Sequence, residues 1–289
     1  MVGISCKVRL SHLMFKIIIL RFSYLQKFNN FPVHLILLSA TVPELYEEFL
    51  QIHFGRHLSV IRNRVMRKEV GYEVVESSDK NSAVSDLLRL VANHEGTILV
   101  YCKTLRLAEL LLTPLRNRFE SCILFHGQLD NPTKSRIVQD IFDGKHKIVI
   151  STLAFGIGVD VPCIKKVFTF GPFDSLMDIV QMAGRAGRKD GAMSKASIFK
   201  WNGMFDDDRN AKTPRDNSRL SKFFENELEI LKLWFADDEN CRLYGISKYL
   251  HKEETICKLS GTLFCDVCQN YFGISHSYIL SKIPFFNFY

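Results

Sequence analysis

From residue 72 onward, short apolar runs alternate with amphipathic stretches, and that rhythm predicts a parallel α/β sheet. The strand candidates are 72–75, 97–101, 121–125, 147–150, 167–170 and 196–199. Most are apolar almost throughout, as strands buried on both faces are. Between them, 82–92, 134–142 and 177–183 carry helical spacing, as does a stretch whose Leu105, Ala108, Leu112 and Leu115 share one face. On the 134–142 helix, Arg136 and Gln139 fall on the outward side. Open α/β sheets bind ligands beyond the carboxyl ends of their strands, so the residues that follow each run are the ones to test for chemistry.

Cys102-Lys103-Thr104 follows the second run. Thr104 suits a cap on the helix after it, a reading that stands equally beside the nucleic-acid contact that the family resemblance below implies for Lys103 and Thr104. Thr152 follows the fourth run and opens Ser151-Thr152-Leu153-Ala154-Phe155-Gly156-Ile157-Gly158-Val159-Asp160. Gly156 and Gly158 free the backbone to bring N–H groups against a phosphate or ribose, and Asp160 can accept from a ribose hydroxyl. Next comes Gln181-Met182-Ala183-Gly184-Arg185-Ala186-Gly187-Arg188, with two guanidinium groups three residues apart, each behind a glycine. Arginine forks in that setting neutralise charge on a transferring phosphoryl group. Upstream, an apolar run over 33–38 ends in Ser39-Ala40-Thr41 and then Pro43, the pattern of a buried parallel strand that stops at a loop before a helix.

In order, Leu38-Ser39-Ala40-Thr41, the glycine loop ending at Asp160 and the arginine block resemble motifs III, V and VI of superfamily 2 helicases. The wording is closest to the RecQ family, and the resemblance covers roughly residues 31–270. It implies a RecA-like helicase C-terminal domain of the P-loop NTPase type, followed by a small helical zinc-binding subdomain. The activity it implies is ATP-dependent 3′–5′ DNA unwinding with Mg2+, in the nucleus if the cell is eukaryotic. By the same resemblance Gln181, Arg185 and Arg188 are the catalytic set, and Gly156, Gly158 and Asp160 hold the nucleotide. Ser39, Thr41, Lys103, Thr104 and Thr152 face DNA.

Eight cysteines are present, and Cys241, Cys257, Cys265 and Cys268 crowd into one stretch near the C-terminus. Four thiolates with a Cys-x-x-Cys chelate suit one tetrahedral zinc, whereas a redox Cys-x-x-Cys requires a strand-helix setting foreign to this helical region. RecQ-type zinc subdomains end in Cys-Asp-x-Cys, matched by Cys265-Asp266-Val267-Cys268. The gap from Cys257 to Cys265 is wider than in the family's most compact versions, so Cys257 departs most from the family's ligand pattern while Cys265 and Cys268 match it. A net charge of +7 suits a polyanionic partner without requiring one. Residues 1–43 hold five Lys or Arg and no acid, a mild presequence signal, but the apolar run 13–20 is too short to span a membrane.

No Gly-x-x-x-x-Gly-Lys-Ser/Thr stretch occurs: Gly144-Lys145 is followed by His146, and no Asp-Glu-x-His block precedes Ser39. The expected division is therefore 1–70 as a remnant of a first motor domain with its connector, 71–203 as the second motor domain, 204–270 as the zinc subdomain, and 271–289 unassigned. Two rival functions follow from the missing phosphate loop. One is a catalytically silent nucleic-acid-binding fragment, and the other is a zinc-dependent interaction module. ATP hydrolysis separates the helicase from both, and salt-dependent DNA binding separates the two rivals.

Overall fold

The computed structural model describes residues 5–9, 34–38, 42–54, 57–61, 67, 69–94, 96–152, 164–187, 193–206, 219–251 and 254–272. Near the N-terminus β1 (Ser5–Arg9) and β2 (His34–Leu38) pair in parallel, Ser5 opposite His34 and Arg9 opposite Leu38. The strand expected before Ser39 is thus present as β2. Ser39 and Thr41 themselves lie outside the described residues. Helix α1 (Leu45–Phe54) follows Pro43.

The main sheet consists of β3 (Val70–Ser77), β4 (Thr97–Cys102), β5 (Cys122–Phe125), β6 (Ile148–Ser151), β7 (Ile164–Phe170) and β8 (Ser194–Trp201). Their order is β3–β8–β7–β4–β6–β5, and every pairing is parallel. All six residues of β4 are buried, which is why its sequence, Thr-Ile-Leu-Val-Tyr-Cys, is apolar on both faces. Since β6 and β7 flank β4 on opposite sides, the segments leaving them emerge on either side of the Lys103-Thr104 turn. That reversal of strand order is where open sheets hold ligands.

The helices between strands are α2 (Lys80–Ala92), α3 (Leu105–Arg118), α4 (Asn131–Phe142) and α5 (Leu176–Ala183). Each begins at a side-chain cap that satisfies one of the N–H groups the first turn leaves open. Asp79 accepts from the Ser82 amide, Thr104 from Leu107, Asp130 from Thr133 and Ser175 from Asp178. The α3 core stripe is Leu107, Ala108, Leu111 and Leu115, turned by part of a residue step from the expected one. Arg136 and Gln139 on α4 are exposed, as the spacing predicts.

One charged cluster is built into the sheet. Glu73 of β3 accepts from Lys166 of β7 at 2.9 Å and from the Ser197 hydroxyl of β8, with Lys195 3.4 Å away. Burial pushes the Glu73 carboxyl up, but Lys166, the Ser197 hydrogen bond and Lys195 together outweigh it and hold it below its ordinary value.

After β8 the chain turns helical: α6 (Arg219–Ala236), α7 (Arg242–His251), α8 (Cys257–Ser260) and α9 (Asp266–Phe272). Helix α1 packs on α6 through Phe49 stacked on Phe223 at 4.6 Å and Tyr46 edge-on to Phe223 at 4.8 Å. The buried Glu227 of α6 accepts hydrogen bonds from Tyr46 of α1 at 2.7 Å and Tyr249 of α7 at 2.6 Å. One carboxylate thereby fastens three helices. Leu263 packs on β3 so closely that a Cβ on Gly71 would lie 2.8 Å from the Leu263 Cβ. Among the described residues no helix is long and apolar enough to cross a membrane.

Candidate nucleotide and nucleic-acid site

The turn after β4 brings Lys103 and Thr104 to the carboxyl end of the sheet, and Thr152 follows β6 beside it. These three expected DNA-facing residues therefore share one rim. Their availability differs. The Thr104 hydroxyl caps α3 by accepting from the Leu107 amide at 3.2 Å, so the capping reading holds for its oxygen. Lys103 reaches across the reversal point to the loop after β7, where its Nζ lies 2.7 Å from Asp174 Oδ1 and only 15% of its side chain is exposed. Asp174 is itself fixed, because its amide donates to Asp178 on α5. Lys103 thus stands as an ion pair beside the rim and not as an open cation.

The arginine block lies one helix further on. The eight residues of α5 span roughly 12 Å and separate the β7 loop from the turn that presents Arg185. Gln181, on the last turn of α5, and Arg185 are both half-buried. The turn is tight: the Arg185 amide donates to Met182 and the Ala186 amide to Ala183, and Gly187, at φ +61°, adopts the left-handed backbone that favours glycine. Gly184, by contrast, caps the helix at φ −62°, so its role is not conformational freedom. Arg188, Gly156, Gly158 and Asp160 lie outside the described residues.

Two contacts here escape the sequence reading. Asp174 as the partner of Lys103 lies far along the chain and in no motif. Arg67, in the connector ahead of β3, donates to the Gly184 carbonyl at 2.6 Å and to the Gly187 carbonyl at 2.7 Å. No periodicity marks it, because it belongs to neither a strand nor a helix.

The second site is the cysteine cluster. The Sγ atoms of Cys241, Cys257, Cys265 and Cys268 all lie within 4.8 Å of one another, with Cys241 3.3 Å from Cys257 and 3.9 Å from Cys265. Four thiolates about 2.3 Å from one zinc stand roughly 3.8 Å apart, so the donor set and its spacing fit a tetrahedral zinc. Cys257, the cysteine whose spacing departs most from the family pattern, is drawn fully into the cluster. Backbone N–H groups of Arg242, Cys257 and Cys268 point at sulfurs, each at 3.4 Å, an arrangement that stabilises thiolate charge. Hydrogen bonds from neighbouring thiols, Cys257 first, hold the Cys241 thiol well below its ordinary value. Cys102 and Cys122 stay apart in the sheet, where burial pushes the Cys122 thiol up to about 11.

Arg242 braces this cluster. Nearly fully buried, it forms a forked pair with Asp266, donates to the Trp234 and Asp237 carbonyls, and lies over the Trp234 ring. Its signal was visible: Arg242 directly follows Cys241 and Asp266 directly follows Cys265, so the two charges flank two ligands.

Residues 79–190 match the helicase conserved C-terminal domain. In fold, the chain is similar to S. cerevisiae Dbp5 bound to RNA and ADP BeF3, with a TM-score of 0.53 at 16% identity over 78% of this chain and 63% of that one. The parallel sheet and its helices therefore have the RecA-like fold of a helicase C-terminal domain. Two curated relatives narrow the family. The probable ATP-dependent DNA helicase RecS of Bacillus subtilis is 28% identical over 187 residues, covering 63% of this chain and 37% of its own. The ATP-dependent DNA helicase RecQ of Haemophilus influenzae is 25% identical over 203 residues, covering 66% and 30%. Across this region the chain is RecQ-like. It spans about a third of those relatives' lengths.

Proposed function

We propose that the chain serves as the C-terminal motor half of an ATP-dependent 3′–5′ DNA helicase. Arg185 and Arg188 face the phosphates of Mg2+-bound ATP, Gln181 lies beside them, and Gly156, Gly158 and Asp160 meet the nucleotide from the adjoining loop. The observation that supports this most is a half-buried Arg185 on a hydrogen-bonded turn inside the region matched to the helicase C-terminal domain. Such a guanidinium acts on a nucleotide held elsewhere, and no phosphate-loop lysine occurs among these 289 residues. The gripping half of the site is accordingly supplied by other residues. DNA runs along the rim of Lys103, Thr104 and Thr152, continued by Ser39 and Thr41. Zinc occupies the four-cysteine cluster and stiffens the helices after β8. In a eukaryotic cell the work of such a motor, in repair and recombination, lies in the nucleus.

Fluorescence anisotropy of a labelled single-stranded oligonucleotide across a salt series tests the nucleic-acid half of this reading. With one side of a motor groove engaged, the dissociation constant should be on the order of 10⁻⁴ to 10⁻⁶ M at physiological salt and should rise as salt is added. Binding indifferent to salt would count against it.

A further inference from the structure

We propose that Arg67 is the positioning residue of the arginine-bearing turn, tying it to the connector ahead of β3; this deepens the helicase reading and rests on it for its functional meaning. The geometry is specific. One guanidinium spans both ends of the turn, with Nη1 donating to the Gly184 carbonyl at 2.6 Å and Nη2 to the Gly187 carbonyl at 2.7 Å. Between those carbonyls stands Arg185, the residue the turn exists to present.

Two parallel N–H donors on a rigid plane match two carbonyls in a way that a lysine ammonium on a flexible stem does not. Each bond is charge-assisted and therefore stronger than a neutral one. Glu69 lies 3.6 Å from Arg67 Nε, so it steadies the remaining edge of the guanidinium without competing for the two Nη groups. Arg67 is itself half-buried, which limits solvent competition for these bonds.

The consequence concerns motion. Gly184 closes α5, while Arg67 sits more than a hundred residues earlier, between α1 and β3. A displacement of the connector carries the two carbonyls with it, and Arg185 moves as the turn moves. Any domain pulling on residue 67 therefore sets the position of the arginine that meets the phosphates. Arg67 does this without touching nucleotide itself.

Amide hydrogen exchange on the chain, comparing the wild type with Arg67→Ala and Arg67→Lys, tests the tether. In Arg67→Ala, the Gly184, Arg185 and Ala186 amides should exchange about tenfold faster or more. Amides of β4 and β6 should keep their rates, and thermal melting should stay close to the wild type. Arg67→Lys should fall between, because one ammonium reaches one carbonyl at a time. Unchanged exchange at 184–186 in Arg67→Ala would overturn the proposal, as would complete rescue by lysine, which would reduce Arg67 to a charge without a fork. Exchange needs no nucleotide or DNA, so failure of the helicase reading would show in the oligonucleotide titration while the tether still stood.

Discussion

Lys103 illustrates how a residue placed correctly by sequence can be held in a state that sequence does not reveal. It stands at the carboxyl end of the central strand, but Asp174 engages it at 2.7 Å. For Lys103 to meet a phosphate, that pair must open, and the phosphate competes with the carboxylate for the same ammonium. Asp174→Asn should therefore tighten single-stranded DNA binding by about fivefold at most, the worth of a partly exposed ion pair. Lys103→Ala should weaken binding to all sequences alike and lower the salt slope by about one, since a phosphate contact carries no base information. Anisotropy titrations of the two variants measure both effects. If Asp174→Asn weakened binding, Asp174 would be an organiser of the rim and not its lock. Thr104 shows the same lesson: its hydroxyl oxygen accepts from the helix it caps, so only its O–H is left to donate at the rim.

Among the elements, the helices after β8 are the ones that the proposed zinc would hold together. Helices α8 and α9 are four and seven residues long, too short to be stable alone, and each carries one cysteine of the cluster, Cys257 and Cys268, while Cys241 precedes α7 and Cys265 lies between α8 and α9. Cys268→Ser should lose stoichiometric zinc in metal analysis and speed proteolysis across 219–272 at least tenfold, because metal affinity is folding energy in so small a unit. Full zinc occupancy in a Cys265→Ser/Cys268→Ser double variant would refute the assignment. The sequence made these ligands plain because cysteine spacing is itself a geometric statement. It was less informative about strand limits. The expected strands 72–75, 167–170 and 196–199 are in fact Val70–Ser77, Ile164–Phe170 and Ser194–Trp201. The missed residues include Lys166 and Lys195, which read as loop until Glu73 pairs with them across three neighbouring strands. Helix α4 likewise begins at Asn131, not at 134, since Asp130 caps it and Pro132 suits its first turn. Apolar runs announce a buried strand; a buried ion cluster announces nothing until the register is known.

On the scale of the whole molecule, the parallel sheet was legible because its central strands are apolar on both faces, whereas its strand order, β3–β8–β7–β4–β6–β5, is set by pairings the sequence does not mark. What sequence could not place is the relation between the two ends of the chain. Helix α1, ahead of the sheet, is pinned to α6, behind it, by Tyr46, Phe49, Phe223 and Glu227. Arg67 then ties the intervening connector to the turn of Arg185. A segment that precedes the sheet is thus fastened at two points, to a helix that follows the sheet and to the turn ahead of β8. The most direct measurement is ATP hydrolysis with single-stranded DNA, by this chain alone and by the chain joined behind a helicase motor domain that carries a phosphate loop. The chain alone should hydrolyse nothing above background. The joined protein should show DNA-stimulated turnover that Arg185→Lys with Arg188→Lys reduces by about 10³-fold or more, as loss of an arginine finger does. Robust DNA-stimulated hydrolysis by the chain alone, or turnover in the joined protein indifferent to both arginines, would contradict the account.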